Sequence, residues 1–164
     1  MLAWRITRKV HAREPLSGEG ARRYGGRWNH IGESVVYASQ SLSLAVLEYL
    51  VNLSVPDLPL DIVSVRIDIP DRLPRTELLP DKLPKNWRAF LGNESLKDIG
   101  TDWLRKGATP ILIVPSAVIP SEHNFLINPK HVLAQQIVAV SVEPFTLDER
   151  LRAPRKRSSK RTRR

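Results

Sequence analysis

The 164-residue sequence carries a formal net charge of +9 and contains 41% hydrophobic residues, a share that is ordinary for one globular domain. It contains no cysteine, which excludes disulfides and thiolate metal sites, and no apolar run near the roughly 18 residues that a membrane span needs. The N-terminus, MLAWRITRKV, lacks the apolar core of a signal peptide, so we expect a cytoplasmic protein.

The first third of the chain predicts two strands separated by an irregular segment. Residues 2–7 (LAWRIT) alternate between apolar and polar side chains and predict a first strand. Residues 8–26 are polar and contain glycine, which predicts a loop or irregular arm. Residues 33–39 (ESVVYAS) predict a second strand.

A helix follows over residues 42–53 (LSLAVLEYLVNL), and either Ser39 or Ser41 can cap its N-terminus. At about 100° per residue, Glu48 lies about 40° from Leu44 and therefore borders the apolar stripe of this helix. A carboxylate there either reaches solvent, forms a structural ion pair, or serves a site, because burying it unpaired is costly.

Residues 58–147 predict three further strands and one further helix. Residues 58–69 predict a third strand, and the proline-rich segment 70–92 predicts a connecting loop with little regular structure. Residues 93–107 predict a helix that Asn93 caps and Gly107 ends. Residues 110–116 and 135–147 predict the last two strands, and this irregular order favours an α+β fold over a doubly wound sheet.

The positive charge is concentrated at the C-terminus. Residues 150–164 (RLRAPRKRSSKRTRR) contain nine basic residues and no acidic residue, which leaves residues 1–149 with no net charge. Such a segment cannot bury apolar surface, so we expect a single domain over residues 1–149 and a disordered tail over 150–164. The tail either makes the chain more soluble or binds nucleic acid through phosphate contacts.

Four further side chains are candidates for a binding site. Arg27 follows two glycines, which permit sharp bends and the close approach of a ligand, and its guanidinium can bind a phosphate or carboxylate. Arg5 lies on the second face of the first strand, whereas Tyr37 and Ser116 lie where strands end. Alternatively, the two arginines are solvated surface residues, Tyr37 packs in the core, and Ser116 caps a turn.

Several familiar catalytic motifs are absent from the sequence. It contains neither GxGxxG nor GxxxxGK[ST], so a glycine-rich phosphate loop is unsupported, and no GxSxG predicts a nucleophile elbow. No metal site is expected, because the four histidines lack HExxH or other ligand spacing: His11, His30, His123 and His131.

Read together, these features resemble the RES domain, a family named for an arginine, a glutamate and a serine. The resemblance rests on an arginine in the first strand and on GGRWN, VVYAS, a helix containing LE, VPSAV and NFLINPKH. It extends over residues 3–145, and Gly25 to Glu48 is its most specific part. The family's three named residues correspond to Arg27, Glu48 and Ser116.

The resemblance implies a compact fold similar to ADP-ribosyltransferases, with a cleft between sheets that holds NAD. It implies that Glu48 and Arg27 are catalytic, and that Arg5, Tyr37 and Ser116 join Arg27 in binding NAD. The implied reaction is breakage of the nicotinamide–ribose bond of NAD by hydrolysis or phosphorolysis, which arrests growth. Some members are instead similar to protein mono-ADP-ribosyltransferases.

The family also implies a partner. RES proteins are toxins of RES–Xre toxin–antitoxin modules, so the resemblance implies an Xre-like helix-turn-helix antitoxin, DNA contact only through that antitoxin, and possible homo-oligomers in the complex. A rival hypothesis is a binding module that uses the tail at 150–164 on nucleic acid. Deleting the tail separates the two, since an NAD-cleaving enzyme keeps its activity without it.

Overall fold

Seven strands form one mixed sheet in the computed structural model, which describes residues 1–53, 59–89 and 94–152. The sheet order is β4-β5-β6-β2-β1-β3-β7, and only the β4–β5 pair is parallel. The strands are β1 (Leu2–Arg8), β2 (Val36–Ser39), β3 (Ile62–Asp68), β4 (Arg75–Glu77), β5 (Ile111–Pro115), β6 (His123–Ile127) and β7 (Val138–Phe145).

Helices are few and mostly short. They are α1 (Glu19–Tyr24), α2 (Leu42–Leu50), α3 (Glu94–Lys106) and α4 (Glu149–Arg152), with 3₁₀ turns at Lys9–His11, Pro80–Lys82 and Val132–Gln136. Ser41 caps α2, because its hydroxyl accepts a hydrogen bond from the Leu44 amide at 3.1 Å. Gly107 ends α3 with a φ of +57°, a conformation that favours glycine.

The sheet consists of two halves that meet at a narrow junction. Strands β1 and β3 are paired over seven residues, whereas β1 and β2 are in register only at Trp4 and Ser39. The resemblance implies a cleft between sheets, and the described strands instead belong to a single sheet with this short junction at its centre. Arg5 and Tyr37 both lie within two residues of the junction.

Three apolar clusters hold these elements together. One packs β1, β2, β3, β5 and β6 around residues such as Val36, Val65 and Ile127. A second joins α3 to β5 and β6 through Leu96, Trp103, Leu104, Leu112, Val114 and Leu126. The third packs α2 on β1 and β3 through Ala45, Ile6, Ile62 and Leu147, so α2 and α3 are anchored separately.

The α+β prediction is confirmed, but four elements were missed, including α4 (Glu149–Arg152), which extends into the segment expected to be disordered from residue 150. Helix α1 lies inside the predicted arm 8–26, and it buries no residue, so it leaves no apolar periodicity to detect. Strand β4 has only three residues inside the predicted loop 70–92, and β6 lies in a segment with no predicted element. Asn93 and most of the basic tail, 153–164, lie outside the described residues.

Candidate active site

A loop over residues 25–31, here called the glycine loop, fixes the position of Arg27. Gly25 ends α1 with a φ of +71°, which favours glycine. Trp28 is only 3% exposed and its backbone packs against Gly100 of α3, where a Cβ atom would collide with the Trp28 carbonyl. The His30 amide also donates to the Thr101 hydroxyl at 3.1 Å, so α3 holds the loop.

Tyr37 supports the glycine loop from behind. Its hydroxyl donates to Asn29 Oδ1 at 2.7 Å and accepts from the Trp28 amide at 3.0 Å. A Cβ atom on Gly26 would lie only 2.5 Å from this hydroxyl. The absence of a Cβ atom at Gly26 therefore leaves space for the Tyr37 hydroxyl, whereas the double glycine was expected to leave space for a ligand.

Arg27 is held by backbone carbonyl groups. Its Nη1 donates to the Trp87 carbonyl at 3.0 Å and to the Ala89 carbonyl at 3.2 Å. In the described part of the chain, Nε and Nη2 of Arg27 make no hydrogen bond and no carboxylate pairs with it. This edge of a partly exposed guanidinium is thus available to an anion.

Arg5 is a second cation without a carboxylate partner among the described residues. Its Nη1 donates to the Tyr37 carbonyl at 3.2 Å, and its Nε is buried without a hydrogen bond. Burial lowers the pKa of Arg5 to about 10, which still leaves the side chain charged at neutral pH. Burial also raises the pKa of the Tyr37 hydroxyl, against the opposing effects of the Trp28 amide and the two arginines.

Glu48 lies on α2 and is held by two neutral donors. The Ser116 hydroxyl and the Asn124 side-chain amide both donate to its Oε1, each at 2.6 Å. The Ser116 contact has a length that is usual for a hydroxyl that donates to a carboxylate. Glu48 is partly buried, and its Oε2 makes no hydrogen bond to the residues that the structure describes.

Ser116 lies behind Glu48 and is completely buried. Its oxygen accepts from the Val118 amide at 3.1 Å and from the Ile119 amide at 3.0 Å, while its proton goes to Glu48. A hydroxyl has one donor and two acceptor positions, and all three are occupied here. The resemblance implied that Ser116 contacts NAD, and this geometry suits it instead to orienting Glu48.

Strand β2 connects the side chains around Tyr37 to those around Glu48. Tyr37 and Ser39 point to the same face of β2, about 7 Å apart along the strand. The Ser39 hydroxyl donates to Asn124 Oδ1 at 2.7 Å, and Asn124 in turn contacts Glu48. No ion pair joins Glu48 to Arg5 or Arg27 within the described ranges, so the carboxylate and the two guanidinium groups do not neutralise each other.

The cavities around these residues do not enclose Glu48. A cavity of about 500 Å³ lies on the outer side of the glycine loop, and another of about 390 Å³ lies near the C-terminal end of β6. The larger one is lined by Tyr24, Gly25, Gly26, Asn29, His30, Ile31 and Lys97.

The described residues contain no cluster of histidine and acidic side chains that suits a metal ion. They also contain no helix that is long and apolar enough to span a membrane.

Residues 2–148 match the family model described as the RES domain. The chain belongs to the RES-domain family. A RES protein named Prs ADP-ribosylating toxin, from Sphingobium sp., is 39% identical over 152 residues, which cover 90% of this chain and 94% of that protein. Toxin Res from Pseudomonas putida is 39% identical over 153 residues, covering 92% of this chain and 99% of the relative.

A solved structure extends the likeness to the fold of this RES protein. The M. tuberculosis MbcT–MbcA toxin–antitoxin complex contains a chain that matches with a TM-score of 0.69 at 20% sequence identity, covering 88% of this chain and 84% of that one. At this identity the likeness concerns the fold. The α+β architecture of this chain is therefore shared with a toxin–antitoxin protein of known structure.

Sequence reasoning missed three polar residues of this RES site. Asn124 bonds Glu48 and Asn29 bonds Tyr37, whereas Ser39 bonds Asn124, and Asn29 and Ser39 are buried. NFLINPKH was quoted for the resemblance, and its first residue is Asn124, but no element was predicted there. The NPKH part is structural, because the buried Asn128 bonds the Leu104 carbonyl and the Lys130 amide.

Proposed function

We propose that this chain is the toxin of a toxin–antitoxin pair and an enzyme that breaks the nicotinamide–ribose bond of NAD, by hydrolysis or phosphorolysis, so that growth stops. The observation that carries the proposal is the state of Glu48. Two neutral donors hold one of its oxygens at 2.6 Å, and its other oxygen makes no bond to the described residues. A fixed carboxylate with a free oxygen can stabilise positive charge on a substrate.

The chemistry of NAD requires such a carboxylate. Breaking the bond to nicotinamide leaves a ribose with oxocarbenium character, as in other glycosyl transfers. Nicotinamide is positively charged in NAD and leaves as a neutral molecule, so no general acid has to protonate it. Glu48 Oε2 stabilises the developing positive charge and holds a ribose hydroxyl, and one carboxylate is enough.

The two arginines supply the complementary charge for the pyrophosphate. Arg27 presents Nε and Nη2, and Arg5 is a charged side chain whose Nε has no hydrogen bond. Both arginines lie close enough to Tyr37 for their charges to lower the pKa of its hydroxyl, against the larger effect of burial. Its hydroxyl is engaged by the glycine loop, so its ring is the part that can contact the cationic nicotinamide.

A second candidate is transfer of ADP-ribose to a protein. The name of the Sphingobium relative, Prs ADP-ribosylating toxin, favours it. Both reactions begin with the same bond cleavage and differ only in the acceptor: water, phosphate or a protein side chain. The same residues therefore serve both candidates.

The test is the reaction of the purified chain with NAD labelled in its ADP-ribose part. Free ADP-ribose or its phosphate supports cleavage, and label on an added protein supports transfer. We expect Glu48→Gln, which keeps the shape and removes the charge, to lower the rate by about a hundredfold or more. The matched control is Glu143→Gln on the exposed side of β7, which should react at the parental rate. Parental activity in Glu48→Gln would refute the assignment of Glu48.

We also propose an antitoxin partner of the Xre-like helix-turn-helix class, which blocks the NAD site and carries the complex to DNA. An enzyme that consumes NAD harms its own cell, so a partner that inhibits it is needed. The toxin–antitoxin complex of the M. tuberculosis structure supports such a partner. Because NAD is the substrate, we place the enzyme in the cytoplasm.

A further inference from the structure

We propose that Asn124 is a positioning residue for Glu48, and that Ser39 sets its orientation. The inference rests on the proposed NAD-cleaving function and assigns a role to a pair of residues at the centre of the sheet. Ser39 and Asn124 lie directly opposite each other in the β2–β6 pairing, and Asn124 also lies opposite Val114 of β5. Asn124 therefore projects from the middle of three hydrogen-bonded strands, which is a rigid support.

The carboxylate of Glu48 decides which end of the Asn124 amide faces it, because a carboxylate only accepts hydrogen bonds. The Ser39 hydroxyl is buried and donates to Asn124 Oδ1 at 2.7 Å. With its oxygen engaged there, the amide presents Nδ2 to Glu48 Oε1 at 2.6 Å. A flipped amide would place two oxygens against each other at the carboxylate, and the Ser39 hydroxyl bonded to Oδ1 holds the amide in the favourable orientation.

Two donors on one oxygen determine the direction of the other. With Ser116 as the only donor, the carboxylate would be free to pivot about the Ser116–Glu48 contact. Asn124 approaches Oε1 from a different strand, β6, while Ser116 follows β5, and together they fix the plane of the carboxylate. Oε2 is then held toward the substrate in one orientation.

The neutrality of both donors matters as much as their geometry. An arginine or lysine at position 124 would orient Glu48 equally well but would cancel its charge. An amide and a hydroxyl position the carboxylate and leave its full negative charge to act on the ribose cation. Asn124 thus contributes through Glu48 and needs no contact with NAD.

The test compares Asn124→Asp and Asn124→Ala with the parent in NAD cleavage. Near neutral pH, Asn124→Asp removes the donor and adds a second negative charge beside Glu48, so we expect kcat to fall about a hundredfold with KM changed less than about threefold. Toward about pH 5 the two carboxylates share one proton, which restores a donor, so part of kcat returns. Asn124→Ala should lose about tenfold or more in kcat without recovery in acid.

Three controls make the outcomes decisive. Gln135→Glu makes the same change from amide to acid at an exposed position and should keep the parental kcat and pH profile. Ser39→Ala should lose less than Asn124→Ala, because it removes the bond that holds the amide but keeps the amide donor to Glu48. Thermal unfolding shows whether each variant is folded, and a kcat loss in folded Asn124→Ala supports the role even when the aspartate variant does not fold.

The contrary results are equally specific. Parental kcat in Asn124→Ala, or a loss in Asn124→Asp that shows no recovery in acid, would overturn the positioning role while leaving NAD cleavage intact. If the parent itself releases no nicotinamide from NAD whereas the antitoxin-free chain still arrests growth, the proposed function fails first. The two failures are therefore distinguishable.

Discussion

Replacing Arg5 with methionine should make the unliganded protein more stable and less able to bind NAD. Burial lowers the Arg5 pKa from its ordinary value to about 10, which corresponds to a cost of about 3 kcal/mol for keeping the charge in the folded protein. Because Nε is enclosed but the whole side chain keeps some exposed surface, we take about 2 kcal/mol of this cost as recoverable.

Arg5→Met loses one favourable contact and keeps the apolar ones. The bond from Nη1 to the Tyr37 carbonyl contributes about 1 kcal/mol, so the net gain in the free energy of unfolding is about 1 kcal/mol. For a domain of this size that gain raises Tm by about 2–4 °C. The NAD affinity should fall at least about tenfold, because the substitution removes a charged group that we propose to bind the pyrophosphate.

The pH dependence gives the same prediction a second readout. The folded-state pKa lies below the unfolded one, so the unfolded chain binds more protons between about pH 10 and 12.5, and parental stability rises with pH in that window. The advantage of Arg5→Met is therefore fully present below about pH 10 and shrinks above it. Thermal unfolding followed by circular dichroism, with and without NAD, measures both effects. A lower Tm for Arg5→Met than for the parent at neutral pH would refute the reasoning, and Arg13→Met, which is exposed, controls for the apolar side chain.

Two further substitutions test the supports of the site. Ser116→Ala removes one of the two charge-assisted bonds to Glu48, worth about 1.5–3 kcal/mol, so NAD cleavage should slow by roughly tenfold to a hundredfold. The control is Ser121→Ala, which changes an exposed serine that also follows a proline and should react at the parental rate. Equal rates in the two variants would contradict the orienting role of Ser116. Tyr37→Phe leaves the Trp28 amide without its acceptor, which should lower the free energy of unfolding by about 1–3 kcal/mol. Denaturant titration measures this change, and an unchanged midpoint would show that the Tyr37 hydroxyl does not stabilise the glycine loop.

The charged residues of the proposed site form no ion pairs with one another in the described part of the structure. Arg5 and Arg27 have no carboxylate partner in the described ranges, and Glu48 is held only by neutral groups. Pairing Glu48 with an arginine would stabilise the apo protein and remove the charges that act on NAD. Leaving these charged groups without ion-pair partners costs stability and keeps their charges available to a ligand.

Local patterns in the sequence determined the elements whose side chains repeat with a clear period. The alternation in β1 and β3, the serine cap of α2 and the glycine end of α3 all depend on residues within a few positions of one another. The motifs from Gly25 to Glu48, read together with VPSAV and NFLINPKH, also identified the family. Helix α1 and strand β4 are too short or too exposed to produce such a pattern.

Only the tertiary structure decided how the site residues support one another. Glu48 meets Ser116 across 68 residues of sequence and Asn124 across 76, and no local periodicity specifies such contacts. The same holds for Gly26, whose need for a missing Cβ arises from the Tyr37 hydroxyl packed against it. A sequence pattern shows which face of an element a side chain occupies, whereas its hydrogen-bond partners depend on which strands become neighbours in the sheet.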